Sequence, residues 1–423
     1  MPIDAALDHL TAAAPDRRLL IIVHTLGLGG VSVLYGSVAG EAVRRGWSVV
    51  VAGAADADSA RVDWGGAHLA ALPDWDARSL PVLDALARAA TITAMAVTPD
   101  TAPLAPLVAS SGRAVLSIHG APDLMGDWLG PRRLEVLRAV AGSEVHVGFM
   151  VPGPPYLAPQ RAMIGGGPDA WSWMPHAAAG ARHAVARRQD APATTQVLCA
   201  QRLAEEKRPG VRAAAEVAQA AGARLTVVGV GRDVEWVRAY LGGRAGLQFR
   251  VVEDPDLAPW IAGAEVVVGT GLVALEALAA GACAVGVSLV GDGHPWAPAT
   301  PATWAMLHRQ NFAGLGEQPL TGEEVWRRLG AVTAADRAAL AALVRRDAAP
   351  GAALDAVLAA ARPAAARPLP RLTRALLAGV MSGERERRDV PPYIEEVTAA
   401  RDWHREQAGR LAALWAERTA ARA

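Results

Sequence analysis

Val266-Val267-Val268-Gly269-Thr270-Gly271-Leu272-Val273-Ala274-Leu275-Glu276-Ala277-Leu278-Ala279-Ala280-Gly281 is the stretch that decides how this chain folds. A β-branched run breaks at two glycines and restarts with helix-forming residues, which reads as strand, tight turn and helix. Gly281 suits the left-handed position that ends a helix, and Cys283-Ala284-Val285-Gly286-Val287 begins a second buried strand, completing one βαβ unit of a parallel sheet. A turn of this kind faces ligand. The free N–H groups and the dipole at the helix start hold phosphate or diphosphate, and glycine lets the backbone come close to it. Glu276, just over one turn in, either accepts hydrogen bonds from a ribose or is an ordinary solvated helix glutamate.

The same alternation runs through the chain on both sides of this unit. Leu19-Leu20-Ile21-Ile22-Val23-His24 is an apolar run of the kind buried on both faces, turned by Thr25-Leu26-Gly27-Leu28-Gly29-Gly30 into a helix over Val31 to Arg45. A strand follows from Trp47 to Ala52, after a polar leader at residues 1–18. The dinucleotide fingerprint fails here, because Ser32 stands at the third glycine position and no acidic residue closes the second strand. Strands are predicted near Ala67 to Leu72, Thr91 to Val97, Ala114 to Ile118 and Glu144 to Phe149. Helices are predicted over Leu80 to Ala89, Ala102 to Ser110 and Leu129 to Val140, and Pro152-Gly153-Pro154-Pro155 reads as a rigid loop. His119 falls at the carboxyl end of a strand, where open α/β sheets keep their ligand crevice; such a histidine either faces that crevice or caps a neighbouring carbonyl.

Residues 177–195, rich in alanine, arginine and proline without apolar period, read as a linker, and a second α/β series starts at once with the strand Gln196 to Ala200. Its strands at Arg224 to Gly229 and Leu247 to Val252 alternate with helices at Pro209 to Ala221, Val234 to Leu241 and Leu257 to Ala262. The expected fold is therefore α/β, with two Rossmann-like doubly wound domains facing across a cleft, residues 1–176 and 196–360, and a helical C-terminal extension at 361–423. Gly291-Asp292-Gly293-His294-Pro295 reads as a loop, and a helix from Thr303 to Arg309 ends near Asn311. In the extension, Trp403, Leu411, Leu414 and Trp415 have amphipathic helical spacing, suited to packing on the first domain or pairing with another subunit as a homo-oligomer.

Composition narrows the function. The 423 residues carry zero formal net charge, which argues against a general nucleic-acid binder. Cys199 and Cys283 lie in separate predicted strands and read as reduced core thiols rather than as a disulfide or metal site. The start lacks a basic segment followed by an apolar core, and no apolar run is long enough to span a bilayer, so a cytoplasmic protein with no transmembrane segment is expected. Of 42 Lys and Arg residues only Lys207 is a lysine, and Asn311 is the one asparagine. Where drift has removed nearly every lysine, the survivor is expected to do what arginine cannot. Arg202-Leu203-Ala204-Glu205-Glu206-Lys207-Arg208-Pro209 joins strand to helix, so Arg202 and Lys207 are expected to project toward the crevice that Gly269 and Gly271 face, two cations placed for a departing diphosphate.

Three separated motifs carry a family resemblance. Gly27-Leu28-Gly29-Gly30 resembles the glycine loop after the first strand of GT-B glycosyltransferases of the retaining family four. Gln201-Arg202-Leu203-Ala204-Glu205-Glu206-Lys207-Arg208-Pro209 resembles that family's Gly-Arg-Leu-x-x-Glu-Lys block, and Gly269-Thr270-Gly271-Leu272 through Glu276 to Gly281 resembles its nucleotide-binding helix. The resemblance implies transfer of a sugar from a nucleotide-diphosphate sugar to a hydroxyl acceptor (a glycan, lipid carrier or small molecule). Retention at the anomeric carbon is implied too, with no cofactor and no metal. His119, Arg202 and Lys207 would be the catalytic residues, and Gly29, Gly30, Gly269, Thr270, Gly271, Leu272 and Glu276 would bind donor. Arg202 and Lys207 would neutralise the diphosphate, the amides of Gly29 and Gly30 would contact phosphate or acceptor, Glu276 would hold the ribose, and His119 would lie near the sugar. The family often has a further glutamate eight positions before Glu276; here Val268 stands there, inside the strand. Two other readings are a sugar-nucleotide epimerase of the same fold and a non-catalytic glycosyltransferase-like binding subunit, to which Val268 lends weight.

Overall fold

The computed structural model describes residues 3–361 except 28, 57–58, 73–74, 76–78, 120–121, 144–146, 179–195, 255, 289–292 and 315–317; the side chains of 122–128 are not described either. Most of the linker and nearly all of the expected C-terminal extension, including the amphipathic segment, lie outside the described residues.

The first half forms seven strands: β1 (Arg18–Thr25), β2 (Ser48–Ala54), β3 (His68–Leu72), β4 (Ile92–Ala96), β5 (Arg113–Ser117), β6 (Val147–Val151) and β7 (Trp171–Trp173). They pair in parallel in the order β3-β2-β1-β4-β5-β6-β7, with helices α1 (Ile3–Ala12), α2 (Gly30–Arg44), α3 (Leu80–Ala89), α4 (Ala105–Ser110), α5 (Pro122–Ala141) and α6 (Pro154–Ile164) connecting them. Strand alternation sorts β1 onto two cores. Leu20 and Ile22 join one hydrophobic cluster and Leu19, Ile21 and Val23 the other, which is why the run is apolar without interruption.

The second half repeats the plan with β8 (Gln196–Ala200), β9 (Arg224–Val228), β10 (Phe249–Val252), β11 (Val266–Val268), β12 (Cys283–Ser288) and β13 (His294–Pro298). Their order is β10-β9-β8-β11-β12-β13, parallel except for the antiparallel β13. The helices are α7 (Arg208–Ala221), α8 (Val234–Gly242), α9 (Ala258–Gly263), α10 (Leu272–Ala279), α11 (Trp304–Arg309), α12 (Gly322–Leu329), α13 (Ala334–Asp347) and α14 (Pro350–Ala360). The opening stretch folds as read: β11, a turn, α10, then Gly281 at φ +79° leading into β12. Strand order reverses between β1 and β4 and again between β8 and β11, so each sheet has a switch point at which loops diverge and leave a crevice. Both cysteines are free and buried.

Several expectations need correction. The run Pro152 to Pro155 does not stay a loop: α6 begins at Pro154, because prolines in the first helical turn lose no intrahelical hydrogen bond. The short strand β7 has no counterpart in the sequence reading. His294 and Pro295 begin β13 rather than continuing a loop, and Pro295 and Pro298 are tolerated because β13 is an edge strand. Residues 1–18 are more than a leader, since α1 buries Ala6 and Leu10 in the first core.

Helix α14 lies within the range expected for the second domain, yet it crosses back. Ala353, Leu354 and Val357 join the core of the first sheet alongside Leu34, Val38 and Met174. Burying Leu354 and Val357 there contributes about 1.5–3 kcal/mol each, and Arg113 Nε donates to Ala361 O at 2.9 Å to close the end. Among the described residues no helix is long and apolar enough to cross a membrane.

Candidate functional site

In the second sheet the two loops that diverge at its switch point are those of the family-like motifs. After β8, Gln201 Nε2 donates to Lys207 O at 2.7 Å and Lys207 N donates to Ala204 O at 2.9 Å, which winds Glu205–Lys207 into one tight turn ahead of α7. Lys207 is half-buried, and among the described residues its ammonium makes no ion pair within contact distance. Burial first, and Arg202 second, hold it below the usual lysine range, against the opposing pull of Glu206 and Cys199. Arg202 is more exposed and forms an ion pair with Glu206.

After β11, Gly271 takes φ +63° and ψ −134°, a conformation in which a side chain is strained, and caps α10 with no side-chain hydrogen bond of its own. Gly271 N donates to Asn311 O at 2.9 Å. Asn311 sits at φ +54° just beyond α11, so its survival is explained by a left-handed residue that asparagine tolerates and by its seat beside this turn. Gly269 and Val268 are buried, Thr270 and Leu272 are half-buried, and Glu276 is half-buried one turn into α10.

The first half meets this turn from the other side. A methyl group placed on Gly30 would lie 4.0 Å from Leu272 Cδ1, and Leu272 packs on cores of both halves. Gly29, extended at φ −179°, precedes α2, which also lacks a side-chain cap. The loop before it is pinned by Thr25, whose Oγ1 accepts from Gly27 N at 3.0 Å and whose carbonyl accepts from Ser32 Oγ at 2.9 Å. From the end of β7 comes His176, with Nδ1 3.6 Å from a methyl placed on Gly271.

His119 stands beside His176, with ring centroids 5.8 Å apart. His119 Nε2 shares a 2.9 Å hydrogen bond with Ser117 Oγ, which shares one of 2.6 Å with the buried Tyr35 hydroxyl on α2. Ser117 and His119, two residues apart, lie on the same side of the sheet as Tyr35, as strand alternation requires. Burial pulls His119 down to about 4. His176 falls to about 3, chiefly by burial, with His119, His308 and Lys207 adding in the same direction. Burial likewise raises Tyr35 to about 12. His308, stacked on Trp304 at 4.7 Å with Trp173 edge-on at 5.4 Å, is held to about 4 by burial despite Asp347.

The structure thus brings Gly30, Gly271, Leu272 and His119 into one neighbourhood, and Lys207 is carried on the adjacent loop, since β8 pairs with β11. Arg202 is at the same loop but tied to Glu206. Sequence reading missed Tyr35, Ser117 and His176. Only His176 carried a signal: like His119, it follows a strand end, but the strand was a three-residue Trp-Ser-Trp that no period revealed. A cavity lined by Asp169, Trp171, Trp173, Ala356 and Ala360 lies under α14.

The arrangement offers two uncapped helix starts and a cation at one end, and uncharged hydrogen-bonding side chains at the other. That suits a ligand with an anionic part and a neutral polar part.

No family model and no curated protein matches the sequence. Solved structures do match. Anabaena HepE in complex with UDP-glucose is 13% identical, with a TM-score of 0.57 over 81% of this chain and 98% of that chain. A glycosyltransferase from Rickettsia africae is 10% identical, with a TM-score of 0.53 over 81% and 97%. An alpha-glucosyltransferase in complex with UDP-glucose and DNA containing an abasic site is 11% identical, with a TM-score of 0.50 over 80% and 95%. At such identities the likeness is one of fold, and with the two facing sheets it establishes that this chain has the GT-B fold.

Proposed function

We propose that this chain is a glycosyltransferase of the retaining family-four type, moving a sugar from a nucleotide-diphosphate sugar to a hydroxyl acceptor without a metal ion or other cofactor. The observation that carries the reading is the meeting of the uncapped α10 start at Gly271, the Gly30 loop and His176, with Lys207 on the loop after the adjacent strand β8. UDP-glucose is the donor to test first, because HepE and the alpha-glucosyltransferase, which share the fold, were solved with it.

In this reading Lys207, with Arg202 behind it, and the amide of Leu272 at the α10 start take up the charge that develops on the departing diphosphate. The amides of Gly29 and Gly30 contact phosphate or acceptor, Thr270 and Gly269 shape the turn, and Glu276 holds the ribose. His119 lies by the transferred sugar. A loose, oxocarbenium-like transition state needs a stabilised leaving group more than a strong base, and the two halves enclose the donor against hydrolysis. Val268 leaves the sugar pocket without the carboxylate often found there, which alters the pocket rather than the leaving-group site. The cytoplasm, where Cys199 and Cys283 stay reduced, is the compartment this reading assigns.

A thermal-shift screen of UDP-, GDP-, ADP- and dTDP-sugars tests the reading, and raised melting with none of them overturns it. Lys207→Ala and Glu276→Ala are each expected to abolish turnover of the bound donor while leaving the melting temperature of the free protein nearly unchanged.

A further inference from the structure

Three ring nitrogens at the centre of this cluster have no hydrogen-bond partner among the described residues although they are buried: His119 Nδ1, His176 Nδ1 and His176 Nε2. Folded proteins rarely leave buried polar atoms unmet, and such groups mark places where something else completes the bonding. Beside His119 the polar atoms are already engaged, since Tyr35, Ser117 and His119 Nε2 form a continuous chain. That chain fixes the His119 ring with Nδ1 as its open end. His176 has both ends open and is held only by packing, between the His119 ring and the Gly271 turn.

The chemistry of these open positions selects their ligand. A neutral imidazole offers one N–H and one lone pair. A diphosphate, which only accepts, is satisfied by cations and amides and leaves an imidazole lone pair facing oxygen. A sugar hydroxyl both donates and accepts, and so matches both ends of the ring. Burial keeps both rings uncharged at neutral pH, which agrees with this division. The Lys207 ammonium and the helix-start amides are the partners for the anionic part of the donor, so the imidazoles are left for its uncharged part.

We propose that His176, paired with His119, binds hydroxyls of the transferred sugar and is the sugar-reading residue of this site. The inference rests on the glycosyltransferase reading and goes beyond it in assigning His176 a role.

The test is calorimetric titration of the full chain with UDP-glucose and with UDP, and in parallel with GDP-mannose and GDP, for the wild type, His176→Ala and His176→Asn. For the pair that the wild type binds, His176→Ala is expected to weaken the nucleotide sugar about tenfold, the worth of one to two lost hydrogen bonds. Affinity for the nucleoside diphosphate should stay within about twofold. Asparagine, which also donates and accepts, should restore part of the loss. A deoxy analogue of the sugar lacking the contacted hydroxyl should bind the wild type and His176→Ala alike, the signature of a direct pair. Equal weakening of sugar nucleotide and diphosphate, or no weakening of either, overturns the assignment of His176 while leaving the glycosyltransferase reading in place. Failure of the wild type to bind any UDP-, GDP-, ADP- or dTDP-sugar overturns both.

Discussion

Lowering the pH from about 7 to about 5 is the perturbation that tests the burial of these imidazoles. His119 and His308 are drawn to about 4 and His176 to about 3, in each case chiefly by burial, from an ordinary value of 6.5. Each folded value lies below the unfolded one, so the unfolded chain takes up protons that the folded chain refuses. Stability is whole above 6.5 and declines as pH falls from there toward the folded values. Over this window each such ring withdraws about 2 kcal/mol, a large share of the roughly 5–15 kcal/mol that holds a typical domain. His68, lowered by burial and by His9, acts in the same direction. The carboxylates with lowered values, such as Glu41 and Asp347, lose their contribution only below the normal carboxylate range, outside this window. Urea denaturation at both pH values, on the wild type and His176→Asn, should show the wild type losing about 2 kcal/mol more than the variant. Ring proton resonances of His119, His176 and His308 should not titrate above about pH 5. A His176 resonance that titrates near 6.5, or equal losses in both proteins, would refute the reasoning.

Two further outcomes follow from backbone geometry. Gly271→Ala must hold φ +63° with a side chain and sets a methyl 3.4 Å from Asn311 Oδ1 and 3.6 Å from His176 Nδ1. A destabilisation of about 1–3 kcal/mol is expected by thermal melting, together with weakened donor binding by calorimetry. Gly148→Ala on β6 would put its methyl 2.2 Å from Ala360 O, so α14 has to move. A loss of about 1–3 kcal/mol and faster proteolytic cutting near residues 348–350 are expected, whereas an unchanged cutting pattern would show that α14 does not depend on that contact.

What the sequence made legible is what local chemistry alone enforces. A strand buried on both faces has to be continuously apolar, and a helix that follows it has to start at a residue compact enough for the turn. The units β1-α2, β8-α7 and β11-α10 could therefore be read with their connecting loops in place, and His119 could be placed at a strand end. Of the elements that escaped, α6 starts with prolines that read equally as a loop, while β7 and β13 put tryptophan and proline where only tertiary context permits them, in a three-residue strand and at a sheet edge. Tyr35 escaped for another reason. Inside α2 it has the spacing of a core residue, and it is one; its hydroxyl matters only because the parallel pairing of β4 with β5 brings Ser117 beneath it. No period in a sequence encodes which strand will lie under a helix.

Lys207 and His176 show how the two halves divide the work. The lone lysine could be singled out from composition because a cation near a helix start is a local matter, settled within the loop that carries it. His176 is one of ten histidines and stands out only after β7 joins the first sheet and the α10 turn closes against it. In the proposed site the cation comes from the second half alone, whereas His176, carried by the first half, takes its position against the α10 turn of the second. Substitutions at Lys207 should thus act on any ligand that carries a diphosphate. Substitutions at His176 should act only on ligands that carry a sugar as well, and only while the two halves are closed on it.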